Sequence, residues 1–182
     1  MDLDLKNLWL NLTIVLPGVA TYGIWRIVIQ LIGYQGIEFN SIDDSLLLTT
    51  SVLFAVALLQ QAFGISIEAA LTGFFALTRR TWPNANQLFV GRFAALAKEK
   101  YSQPVIRTIG QFFLSLNLLV GECLVFLFFA VVDNPEGLPP VSRPPSLYTL
   151  LLIMIGVTAI VTIFRAWNAT VAVREAERAS AA

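Results

Sequence analysis

The sequence contains no histidine and a single cysteine, and only 13% of its 182 residues are charged. Without histidine there is no His-ligated haem or zinc, no Ser–His or Cys–His nucleophile pair, and no imidazole proton shuttle. Neither a phosphate-cradling glycine loop nor a dinucleotide fingerprint occurs, and no acidic pair has the spacing of a membrane di-metal site. These absences point away from catalysis: the expectation is a protein that is not an enzyme and has no cofactor and no metal. Cys123 alone cannot form an intramolecular disulfide, so the redox compartment is not readable from thiols. A formal net charge of zero argues against nucleic acid as a partner.

What the sequence has in abundance is apolar residues, 57% of the chain, gathered into four long stretches. Leu8–Gly33, Ser45–Leu77, Ile109–Val132 and Leu147–Val173 each exceed the roughly 20 residues that a helix needs to cross a hydrocarbon core. The expected fold is an all-α integral membrane protein, a four-transmembrane-helix bundle forming one domain over residues 1–182. Between the second and third spans, Arg79, Arg80, Arg92, Lys98, Lys100 and Arg107 are opposed only by Glu99. The first loop carries Glu38, Asp43 and Asp44 with no basic residue, and the third loop has Arg143 alone. Positive charge stays on the cytoplasmic side, so both termini and the middle loop are expected there. Trp9, Trp82 and Trp167 then fall near the inner boundary, and Trp25, Tyr34 and Tyr148 near the outer one.

The N-terminus is acidic and lacks a small-residue cleavage site after its apolar run, so the first helix is expected to be retained rather than removed as a signal peptide. The loop Arg79–Arg107 opens with the turn-rich Thr81–Asn86. It continues through Leu88, Phe89, Phe93 and Leu96 with basic residues interspersed, up to Pro104. That pattern predicts a short amphipathic helix at the cytoplasmic face, or a soluble cap over the helix ends. The outer loop Asp133–Ser146 holds five prolines and is expected to be extended, and the tail Arg174–Ala182 to be a helical extension of mixed charge. No internal repeat supports an inverted-repeat transporter.

Function must then lie in the polar residues inside the spans. At 100° per residue, Asn11, Gly18, Tyr22, Arg26 and Gly33 fall within about 80° on the first helix, which Pro17-Gly18 should bend. On the second, Thr50, Gln61, Gly64, Glu68 and Thr72 fall within about 80°, a continuity that argues for one helix. On the third, Gln111, Ser115 and Glu122 form one strip, and Gly110, Asn117 and Gly121 form a second roughly 100° away. Thr158, Thr162 and Arg165 share a face of the fourth. Glu122 lies eleven residues from Asp133, roughly 16 Å deep, where a carboxylate needs a partner or a water-filled cavity. Arg26 lies in the same leaflet at a depth differing by roughly 6 Å, so an Arg26–Glu122 ion pair joining helices one and three is expected.

Two classes of function fit these residues. In the first, the chain is a non-catalytic subunit, scaffold or assembly partner of a membrane complex, and its polar strips join helix to helix. In the second, it is a small oligomeric ion channel or ion-coupled transporter, such as a membrane-depolarising pore, in which Glu122, Gln111 and Ser115 line a path and Arg26 balances it. Glu68 and Gln61 are further intramembrane candidates. The lipid bilayer is the expected partner, together with other copies or other membrane subunits. The short chain with no sorting signal places it by default in a bacterial inner membrane.

Overall fold

The computed structural model describes residues 11–36, 46–77 and 103–181, and among these every regular element is helical. A π-helical turn, Asn11–Val15, leads directly into α1, Leu16–Ile32. The others are α2, Leu46–Leu77, α3, Gln103–Val131, and α4, Pro145–Ala181. Three stretches are long and apolar enough to cross a membrane: Thr13–Ile32, Arg107–Val131 and Pro145–Ala169. Such helices suggest a membrane-embedded protein. In α2 the corresponding apolar run is the shorter Leu48–Gly64, set within one unbroken helix of 32 residues, roughly 48 Å long. The amphipathic segment expected in the loop after α2, together with Trp9 and Trp82, lies outside the described residues.

Proline chemistry explains two helix features. Pro17 has no N–H, so the α-helical bond to the Thr13 carbonyl cannot form, and its ring crowds that carbonyl. The chain widens into the π turn at this point, the site where a bend was expected. Pro104 was read as ending the loop's amphipathic run. It stands instead in the first turn of α3, where a missing N–H costs nothing, so α3 begins about a turn and a half before the expected Ile109.

α3 is the centre of the molecule. It packs against α1, α2 and α4, whereas α4 makes its extensive packing with α3 alone. Accordingly the most apolar 18-residue stretch is 44% buried in Arg107–Val131 but only 17% buried in Pro145–Ala169. α1, α2 and α3 form a mutually packed trio, and α4 leans on its α3 side. The helices converge at one end, where Val28 and Ile32 of α1, Val125 and Phe129 of α3, and Leu147 and Leu151 of α4 form one cluster with Val141. Aromatic rings collect around it: Trp25 and Tyr34 meet Phe128 edge-on at 5.5 and 5.7 Å, and Tyr148 lies 4.4 Å from Phe129.

Hydrogen bonds lock this end. Gly33, in the left-handed region at φ 67°, closes α1 by donating to Gln30 while Tyr34 donates to Ile29; Tyr34 also packs near Ile29. The proline-rich loop is pinned: Asn134 Nδ2 donates to the carbonyls of Pro139 at 2.6 Å and Gly33 at 3.3 Å, and its Oδ1 accepts from the Gln35 N–H at 2.8 Å. Ser142 N–H donates to the Ile32 carbonyl at 2.9 Å, and the Arg143 guanidinium donates to the Val132 carbonyl. The extended loop is thus a strap joining the ends of α1 and α3 to the start of α4. The N–H groups of Val141 and Asn134 donate to Asp133 and, with Arg143 nearby, hold its carboxyl below the usual carboxylate range.

Candidate functional site

Among the described residues three polar junctions cross the interior, two made by side chains of α3 and one lying against it. Gln60 of α2, fully buried, donates from Nε2 to Thr21 Oγ1 of α1. The bond runs over Gly121 of α3, where a Cβ would strike both partners. Gly18 plays a similar part between α1 and α2: a Cβ on it would lie 2.7 Å from that of Ala57. Small residues here let the backbones approach closely enough for side chains of modest length to bridge them.

One turn away along α3, fully buried Asn117 donates from Nδ2 to the Thr13 carbonyl at 2.5 Å and to Gln61 Oε1 at 2.6 Å. The carbonyl it meets is the one to which Pro17 cannot donate. A proline in one helix and an asparagine in another are therefore halves of a single arrangement. Asn117 Oδ1 lies against Gly64, where a Cβ would collide with it.

The third junction joins α3 to α4. Glu122 Oε1 accepts from Thr158 Oγ1 at 2.9 Å. Further along the same interface Thr162 Oγ1 donates to the Thr158 carbonyl at 2.7 Å, and Arg165 Nη1 donates to the Gln111 carbonyl at 3.0 Å. Ser115, buried between these levels on α3, turns its hydroxyl to its own helix, 2.8 Å from the Phe112 carbonyl. Among the described residues, three buried side-chain oxygens have no hydrogen-bond partner: Gln60 Oε1, Asn117 Oδ1 and Glu122 Oε2. No group of three or more metal-ligating side chains gathers among the described residues.

The residues singled out in the sequence divide as follows. Glu122 and the backbone of Gln111 bond α4, and Ser115, on the same strip of α3 by helical spacing, is buried and bonded to its own helix. Gln61 faces Asn117 instead, on the α2 side. Arg26 is half-buried on α1 and engaged in an interaction of its own, but the hydrogen bond to Glu122 comes from Thr158 of α4. Glu68 belongs to α2, and its side chain lies outside the described residues. Gln60, Thr21 and Thr13 were missed. A signal existed for the first, since Ala57, Gln60 and Gly64 fall within about 60° on α2, a small-residue face with an amide at its middle. Comparison with family models, with curated proteins and with solved structures finds nothing that matches this chain.

Proposed function

We propose that the chain is a non-catalytic polytopic membrane protein with four spans, both termini and the loop between α2 and α3 on the cytoplasmic side. In this reading it serves as a subunit, scaffold or assembly partner of a membrane complex. One observation carries it: the interior amides are spent on bonds between helices of the same chain. Gln60 reaches Thr21, and Asn117 reaches both Thr13 and Gln61. Polar groups used this way fix the register of α1, α2 and α3 and leave little to line an aqueous route.

Outside that trio, α4 turns large apolar side chains outward, among them Ile160, Ile163 and Phe164 at 69%, 71% and 64% exposure. That surface suits lipid or the helices of a neighbouring subunit. The experiment is crosslinking at Ile160 and Ile163 in the native membrane, followed by mild-detergent extraction. The expected result is a discrete product containing another membrane chain or a second copy. Purely monomeric protein after crosslinking in the membrane overturns the reading.

A second reading, the oligomeric channel or ion-coupled transporter, is favoured by the unbonded Oε2 of Glu122. Ion flux from proteoliposomes distinguishes the two: a conductance altered by Glu122→Gln supports the channel. Silence from folded, inserted protein leaves the scaffold.

A further inference from the structure

Among the described residues, the carboxyl of Glu122 is the one charged group among the buried polar side chains, and it is only half satisfied. The residue is 6% exposed; Oε1 accepts from Thr158 at 2.9 Å, and Oε2 is buried without a partner. Among the described residues its hydrogen bond comes from a neutral hydroxyl, that of Thr158. On its own helix the charged or titratable neighbours are Cys123, beside it in sequence, and Arg107, four turns away. α4 has no charged residue between Pro145 and Arg165, and Arg165 donates to the Gln111 carbonyl, eleven residues from Glu122 and roughly 16 Å along α3. α1 carries Tyr22 and Arg26, each engaged in an interaction of its own, and the charged residue in the sequence of α2 is Glu68. A bare carboxylate at this place would be a buried charge with one donor.

The α3/α4 interface is also polar at each successive turn from Glu122 toward Arg165. Thr158 comes first, then Thr162, then Ser115 on the facing helix, and finally Gln111 with Arg165. Two antiparallel helices place these groups in one seam, whereas on the other side of Glu122 the interface closes into the apolar cluster of Val125, Phe129, Leu147 and Leu151. Polar access therefore leads in one direction only.

We infer that Glu122 is a proton-exchange site, loaded and unloaded along the α3/α4 seam from the Arg165 end. The step is an acid–base exchange without redox. An O–H bond of hydronium at the Arg165 end breaks and the proton ends on Oε2, leaving water; on release the carboxyl O–H bond breaks and water takes the proton back. Hydroxyls of Thr158, Thr162 and Ser115 can rotate, so each can hand a hydrogen bond to intervening water. The inference goes beyond the scaffold reading and does not depend on it, since a subunit and a pore can both carry a titrating carboxyl.

The test uses the full chain in lipid nanodiscs and needs no variant for its first reading. A hydrophobic carbodiimide reacts with protonated carboxyls inside a membrane, and peptide mapping locates the adduct. Labelling is expected at Glu122 and should fall about tenfold for each pH unit above its midpoint, the titration of one proton. Absence of an adduct at every pH at which the protein stays folded, or labelling independent of pH, overturns the proposal. Infrared difference spectra supply the second arm. A protonated-carboxyl C=O band should titrate with external pH, vanish in Glu122→Gln and move to higher frequency in Thr158→Val, which removes the donated bond. Its exchange in deuterated water should slow on the order of tenfold in Ser115→Ala/Thr162→Val at an unchanged midpoint. An unchanged exchange rate overturns the seam as the route.

Discussion

At the scale of single residues, the glycines and amides of α3 are the sensitive positions. Gly121→Ala puts a methyl where Gln60 and Thr21 meet, and the expected cost is about 1–3 kcal/mol, the usual range for forcing an extra carbon into a packed site. Combining it with Gln60→Ala should return part of that loss, because the second change removes the atom the methyl strikes. Unfolding in mixed micelles reads both, and strict additivity would show that the two residues do not share a site. Asn117→Ala strips the Thr13 carbonyl and Gln61 of a donor and should cost roughly 1–2 kcal/mol, the scale of polar contacts between membrane helices. These sites were only half legible in the sequence. Asn117 and Gly121 fall on one strip by helical spacing, which correctly marks close packing. Spacing cannot say which neighbouring helix faces that strip, so Gln61 drew attention while Gln60, one residue and 100° away, holds the deeper bond. For the same reason two residues of matching depth, Arg26 and Glu122, suggested a pair, while the carboxyl turns toward α4.

At the scale of elements, apolar length located the helices well and their ends poorly. A hydropathy run stops where polar residues start, but a helix stops where its backbone bonds stop. α3 therefore extends back to Gln103 through a proline that fits its first turn, whereas α4 runs on through the charged tail to Ala181 as the expected helical extension. The loop Asp133–Ser146 was legible as non-helical from its prolines, yet its order comes from side-chain bonds that composition does not encode. Asp133 carries a prediction of pH dependence. Its folded-state carboxyl titrates below the ordinary value of about 3.9, because the N–H groups of Val141 and Asn134 stabilise its charged form. A group whose folded pKa is depressed contributes stability above its unfolded pKa and loses it as pH falls through the folded pKa. The strap should be intact at neutral pH and loosen only in strong acid. Amide exchange at Val141 should accelerate there, and in Asp133→Asn the acid dependence should disappear. Protection at Val141 that already fades near neutrality would contradict this account.

At the scale of the whole molecule, the arrangement of the helices was the least legible feature. In a bilayer the lipid tails are as apolar as leucine, so an apolar helix face does not announce whether a neighbour or lipid covers it. Four apolar stretches suggested a four-helix bundle without saying which helix packs on which. The structure centres on α3, with α4 leaning on it. Orientation rests on different physics, because charge reports which side of the membrane a loop occupies. The bonds from Asn134 to Gly33 and from Ser142 to Ile32 put the α1 end and the strap on one side, and α3 carries the chain from there to Gln103 at the other. Arg107, near the start of α3, thus stands at the opposite end from Arg143, the strap's lone cation. In the proposed topology positive charge is retained in the cytoplasm, so the strap is expected outside and α4's terminus inside. In a Cys123→Ala background, a cysteine at Glu136 should react with a membrane-impermeant maleimide in intact cells, and one at Ser180 only after permeabilisation. Moving charge across the molecule, by neutralising Arg79, Arg80 and Arg92 while adding three lysines to the strap, should give a population labelled in the reverse pattern. If the charge-swapped chain keeps its original labelling, packing rather than loop charge sets the orientation.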